Sequence, residues 1–137
     1  MTKTEIFAFL NTNCDCHMAT VEGNKPRVRA MGIVKAGENG IIIQTGTYKD
    51  IYKQLSKNPN VELCFYNAKD GIQVRVSGAV EVVDDLKVKK EIVAQRQFLK
   101  PVVEKEGYGA IAVYSLKGVA NVWSFATNLA PKTYVQL

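Results

Sequence analysis

The segment Gln44-Thr45-Gly46-Thr47-Tyr48-Lys49-Asp50-Ile51-Tyr52-Lys53 carries the chain from a strand pattern through a glycine into a helix pattern. The first N–H groups of a helix have no partners within it and the helix dipole adds positive character, so such a turn favours a phosphate. Lys49 and Lys53 lie one turn apart on one face, with Ile51 and Leu55 turned elsewhere, so both ammonium groups can converge on one anion. Thr45 and Thr47 place hydroxyls beside them. The plainer alternative is that Thr47 only caps the helix, with Asp50 completing the box, and that both lysines are solvated.

A second basic cluster precedes the first. In Pro26-Arg27-Val28-Arg29-Ala30-Met31 the period of two puts Arg27 and Arg29 on one strand face, where two like charges need water or a shared anion. A planar guanidinium can hold a phosphate through two parallel hydrogen bonds.

The elements that must position these residues follow from periodicity and turn chemistry. Thr2 with Glu5 has the form of a capping box, and Ile6, Phe9 and Leu10 predict a helix over Lys3–Leu10. Cys16–Val21 and Val28–Val34 read as a hairpin around Glu22-Gly23-Asn24-Lys25, with Pro26 at a strand start. Lys35–Gly40 reads as a turn before the β-branched Ile41-Ile42-Ile43. Tyr48, Ile51, Tyr52 and Leu55 mark a helix that stops near Asn58-Pro59. Val61–Tyr66 is strand-like, and Ile72–Val82 alternates cleanly, with Ile72, Val74, Val76, Val80 and Val82 on one face and Gln73, Arg75, Ser77 and Glu81 on the other. Asp84 and Asp85 then precede a helix through Val88, Ile92 and Leu99, ending at Lys100-Pro101, and capping is the simplest role for this acidic pair. Ala110–Phe125 closes with two strands around Lys117-Gly118. Short, hairpin-connected strands with a few bridging helices predict a small antiparallel barrel in a single domain, 1–137.

Composition narrows the ligand. The net charge is +5, and the basic residues are spread without a Lys/Arg block or an aromatic platform, which favours a local anion site over a nucleic-acid face. No apolar run approaches the roughly 20 residues that span a bilayer. The N-terminus lacks a secretory signal pattern and the three cysteines form no disulfide framework, so the expected setting is cytoplasmic, with neither nucleic acid nor membrane as partner. Cys14-Asp15-Cys16-His17 has no second cluster to complete a zinc site, and no metal is expected. His17 is the only histidine and no nucleophile motif surrounds it, which argues against hydrolase chemistry.

Arg27-Val28-Arg29-Ala30-Met31, Thr45-Gly46-Thr47-Tyr48-Lys49, Asn58-Pro59 and Gln73-Val74-Arg75-Val76-Ser77-Gly78, in this order, resemble the pyridoxamine-phosphate-oxidase-like family of FMN-binding split barrels. The resemblance covers about Cys16 to Val82 and is similar to the nitroimidazole-reductase-like and general-stress flavoprotein branch. It implies a mainly β fold with a few helices, a split β-barrel of antiparallel Greek-key type, working as a homodimer with FMN between the subunits. By the same resemblance Arg29 and Lys49, with Lys53, bind the FMN phosphate, flanked by Arg27, Thr47 and Tyr52. Ala30, Met31 and Gly32 present backbone to the ring, Gln44 and Thr45 line its other flank, and Gln73 hydrogen-bonds toward the ring or ribityl chain. Trp123 lies either on the flavin edge or in core or interface packing. The implied activity is hydride or electron transfer from a reduced nicotinamide to a small acceptor. Pyridoxamine phosphate oxidation itself is disfavoured, because no Arg-x-His motif follows His17. The alternative is a non-enzymatic module that binds or senses FMN, haem or another anionic cofactor.

Overall fold

The computed structural model describes residues 1–137. Helix α1 spans Lys3–Thr12, running past the expected Leu10. Its start forms the capping box: Glu5 N–H donates to Thr2 Oγ1 at 3.2 Å and Thr2 N–H donates to Glu5 Oε2 at 2.6 Å. Ile6 and Leu10 are its buried stripe.

Strands β1 (Asp15–Glu22) and β2 (Lys25–Gly32) form the first hairpin, in register from Asp15 opposite Gly32 to Glu22 opposite Lys25. β2 begins before the expected Val28 because it is an edge strand, where Pro26 can sit without breaking a ladder. It also stops before Val34. Ile33 N–H turns to the Cys14 carbonyl at 3.0 Å and Val34 N–H to the Ile42 carbonyl at 2.8 Å, carrying the chain to a second sheet. Lys35–Gly37, read above as a turn, is the short strand β3, closed on β4 (Gly40–Gly46) by a hairpin in which Gly40 takes φ +93°. A side chain there would be strained.

Helix α2 (Asp50–Lys57) leads to β5 (Asn60–Asn67) and β6 (Ile72–Val82). β6 is the seam of the fold. Ile72–Ala79 pairs with β5, while Val80–Val82 pairs with β7 (Ile111–Leu116) of the other sheet. The strand order β2-β1-β5-β6-β7-β4-β3 is antiparallel at every pairing, with β8 (Val119–Trp123) added on β6 and β9 (Val135–Gln136) on β8. Met18, Ile41, Ile43, Leu63, Phe65, Val74 and Val76 fill the main core between them.

The expected single helix after Asp85 is two. Asp85 caps α3 (Leu86–Gln95), accepting from Lys87 N–H at 2.9 Å and Val88 N–H at 3.3 Å. The chain then breaks at Arg96 (φ −110°, ψ 75°), makes a 3-10 turn over Gln97–Leu99, and resumes as α4 (Lys100–Glu106). Pro101 opens this second helix instead of ending the first, because a first-turn residue needs no N–H donor. Ile92, Val93 and Leu99 from this segment pack on Ile42, Ile111 and Val113 as a second, smaller core on the outer face of β4 and β7.

β7 and β8 both pair with β6 and not with each other, and the chain turns between them at Lys117-Gly118, where a side chain on Gly118 would overlap the Ser77 carbonyl. Gly118→Val is therefore expected to destabilise the protein by about 1–3 kcal/mol, the usual cost of overpacking. Urea unfolding checks this: the midpoint should fall at unchanged slope, and an unmoved midpoint would show that the turn yields.

Candidate anion-binding cleft

Two cavities meet along the edge strand. The first, of about 360 Å3, is floored by Arg29–Gly32 of β2 and Gln44–Gly46 of β4. Tyr48, Lys49 and Ile51 at the start of α2 wall it, and Arg96, Phe98, Leu99 and Val102 from the α3–α4 segment roof it. The second, of about 540 Å3, shares Arg29, Ala30, Lys49 and Ile51 and continues past Glu22, Arg27, Val28, Asp50 and Gln54. Both sizes suit small-ligand pockets, which run from about 300 to 1,000 Å3.

Arg29 is built into a buried polar scaffold where the cavities join. Its Nη1 donates to Thr20 Oγ1 at 2.8 Å and the Met18 carbonyl at 3.2 Å, and its Nη2 donates to Gln54 Oε1 at 2.6 Å. The Thr20 hydroxyl donates to Gln54 Oε1 at 2.5 Å, and Gln54 Nε2 donates to Glu22 Oε2 at 3.1 Å. Thr20 and Gln54 are 1% and 6% exposed, so the guanidinium is held from inside. All of its direct acceptors are neutral, and it forms no ion pair. Burial presses its pKa below the ordinary value, while the Asp50 carboxylate pulls the other way. A half-buried cation on neutral acceptors retains attraction for an anion.

Lys49 stands opposite, at the N-cap of α2, and no side chain caps that helix. Because Lys49 takes the N-cap position and no side chain bonds the first turn, the capping role for Thr47 and Asp50 is not adopted; Thr47 N–H donates to the Ala110 carbonyl at 3.0 Å. Tyr52 N–H turns back to the Lys49 carbonyl at 3.2 Å, leaving the Asp50 and Ile51 N–H groups without acceptors in the chain. The turn thus offers backbone donors, a lysine and Arg29 around one space.

The sequence-derived residues fall into separate groups. Arg29, Ala30, Met31, Gly32, Gln44, Thr45 and Lys49 line the first cavity. Arg27 lines only the second, and Glu22 meets its charge at 3.1 Å. Lys53 is exposed and reaches neither cavity. The reason is backbone conformation: Lys49 is extended (φ −92°, ψ 154°), so helical spacing does not relate it to Lys53. Tyr52 packs half-buried on the main core, and Thr47 borders a surface hollow beside Pro101 and Lys105. Gln73 and Trp123 face each other across β6 and β8 and line a third cavity of about 550 Å3 with Arg75, Asn121, Asn128 and Lys132. There the Trp123 indole N–H donates to Asn128 Oδ1 at 3.0 Å, and its ring tilts against Phe125 at 5.0 Å.

Sequence reasoning missed Thr20, Gln54, Arg96 and Phe98. For two of them a signal existed. Thr20 continues the core-facing register of Cys16 and Met18, and Gln54 sits beside Ile51 and Leu55 on the buried helix face. A polar residue at such a position needs a buried partner.

No group of three or more His, Cys, Asp or Glu side chains is placed to hold a metal ion, and no helix is long and apolar enough to cross a membrane. The pyridoxamine 5'-phosphate oxidase family model matches residues 2–120. No curated protein matches the chain. Among solved structures, a NimC/NimA family protein from Clostridium acetobutylicum is 30% identical, with 98% of this chain and 92% of that one covered and a TM-score of 0.79. A pyridoxamine 5'-phosphate oxidase-related, FMN-binding protein from Nostoc punctiforme is 14% identical, with 98% and 95% covered and a TM-score of 0.69. General Stress Protein 26 from Bacillus anthracis is 13% identical over 100% of each chain, also at 0.69. These last two share the fold. The family match runs from the cap of α1 into β8 and so takes in β2, β4 and the start of α2, and the chain belongs to the pyridoxamine 5'-phosphate oxidase-like family.

Proposed function

We propose that this protein binds FMN in the cleft between β2, β4 and the start of α2, and works as an oxidoreductase passing electrons from a reduced nicotinamide to a small acceptor. The observation that carries the reading is Arg29: a half-buried guanidinium on neutral acceptors, beside Lys49 and an uncapped helix start. The donor set fits a phosphate, and the cavity continues over backbone and amide groups that fit a planar heterocycle.

Bound FMN would supply the hydride or electron chemistry. Arg29 and Lys49 would hold its phosphate. β2 pairs only with β1, so its outer edge has backbone N–H and C=O groups free for the polar rim of the ring. Gln44 and Thr45, 9% and 5% exposed, would fix the other flank. The first cavity is lined by no aspartate, glutamate or histidine. In this reading the side chains bind and orient the flavin.

The active unit in this proposal is a homodimer. Gln73 and Trp123 share no cavity with Arg29 and Lys49. In strand order β8 lies four spacings from β2, about 19 Å along the sheet. One flavin touches both groups when two chains supply them. Exposed apolar side chains flank all three cavities, Val28 at 68%, Phe98 at 70% and Phe125 at 78%, as expected of surfaces that a second copy covers.

The test is anaerobic reduction. FMN-loaded protein should bleach on addition of NADH or NADPH and recover its yellow colour with an acceptor. Loaded protein that neither nicotinamide reduces is a binding module, and the oxidoreductase half of the proposal is then wrong. Lys49→Gln should weaken FMN binding about tenfold at low salt, because one charge on the phosphate is lost. The gap should narrow in 1 M salt, since Lys49 is exposed and screened; a gap independent of salt would rule out a charge role.

A further inference from the structure

We infer that Arg96 anchors an anionic second ligand, a small planar carboxylate, beneath Phe98 in the first cavity; this rests on the FMN reading above. Three cations line that cavity, Arg29, Lys49 and Arg96, and no carboxylate does. None of the three is in an ion pair. An FMN phosphate carries between −1.5 and −2 charges at neutral pH, by the general behaviour of phosphate monoesters, which Arg29 and Lys49 balance. Arg96 is left over.

Its position keeps it from the phosphate. Arg96 Nη2 donates to the Gly32 and Ile33 carbonyls at 3.1 and 2.9 Å. Gly32 is three residues beyond Arg29, about 10 Å along an extended strand. Arg96 Nη1 makes only a long bond to Gln44 Oε1, at 3.4 Å, and its Nε donates to nothing in the chain. Asp15, opposite Gly32 and exposed, makes no ion pair with it. Burial disfavours the charge on Arg96, so an anion that approaches its free donors gains both pairing and hydrogen bonds.

The surroundings select the anion's body. Phe98 lines the same cavity yet is 70% exposed, and Leu99 and Val102 continue an apolar roof beside it. A flat apolar ring covers such a surface, while a carboxylate on that ring meets Arg96.

Benzoate and its neutral analogue benzamide separate charge from shape. In calorimetric titrations of wild type, with and without FMN, benzoate should bind at least tenfold tighter than benzamide. Arg96→Gln should bring the two to parity, Arg96→Lys should keep part of the preference, and Phe98→Ala should weaken both alike. Equal affinities in wild type, or an undiminished preference in Arg96→Gln, overturn the assignment. So does a shifted midpoint potential of bound FMN in Arg96→Gln with benzoate affinity intact, because Arg96 then serves the flavin ring. Phe98→Ala without effect removes the roof from the account. If Arg96→Gln does not fold, the wild-type ratio and Arg96→Lys decide. Wild type that takes up no FMN defeats the cofactor reading, and the benzoate preference of FMN-free protein still decides Arg96.

Discussion

Arg29→Ala is expected to lower FMN affinity about 100-fold, the largest loss from any single side chain in the cleft. Charge-assisted hydrogen bonds contribute about 1.5–3 kcal/mol each, and about 2.7 kcal/mol corresponds to two decades. The scaffold should survive, since Thr20 and Gln54 still bond each other and Glu22 still accepts from Gln54. The change therefore separates binding from folding. Arg29→Lys keeps the charge but loses the planar reach to two acceptors, and should fall between wild type and alanine. Quenching of FMN fluorescence on titration measures all three. An Arg29→Ala affinity within threefold of wild type means that the phosphate is held elsewhere.

The second large effect is expected from mixed dimers. A chain carrying Arg29→Ala and Lys49→Ala lacks the phosphate end, and one carrying Gln73→Ala and Trp123→Ala lacks the β6–β8 side. Each alone should bind FMN weakly. If one flavin takes its two sides from two chains, a dimer of one of each has one site with every lesion and one with none. Mixing should then restore one tight site per mixed dimer. Sites built within one chain predict no recovery, since every site then keeps a lesion. Purifying the mixed species through two different tags and counting bound FMN decides between them.

Legibility in the sequence followed the range of the interactions involved. The alternation of β6 was readable as far as Val80, because Val74, Val76 and Val80 face the core; Val82, expected on that face, is 74% exposed where the strand leaves the core. The Thr2–Glu5 capping box and the turn between Glu22 and Lys25 are local, and they appear where residue types placed them, whereas the box offered by Thr47 and Asp50 does not form. Spacing alone paired Arg29 with Arg27 and Lys49 with Lys53, and it was the family resemblance that implied the pairing of Arg29 with Lys49, which line one cavity. Lys53 was misplaced by the same logic carried too far, since helical periodicity was extended over an N-cap that is not helical. The break at Arg96 was not readable. Val88, Ile92 and Leu99 continue one helical stripe across it, and what holds Arg96 out of the helix is contact with Gly32 and Gln44, 64 and 52 residues away. β9 was missed for a similar reason: two residues acquire strand geometry only because β8 offers a free edge.

The most direct measurement is FMN uptake by the purified, full-length protein, followed by its visible absorption spectrum after removal of free flavin. The protein is expected to be yellow, with close to one FMN per chain, and Arg29→Ala treated identically is expected to be much paler. Folded wild type that retains no flavin after incubation with excess FMN would contradict the FMN reading.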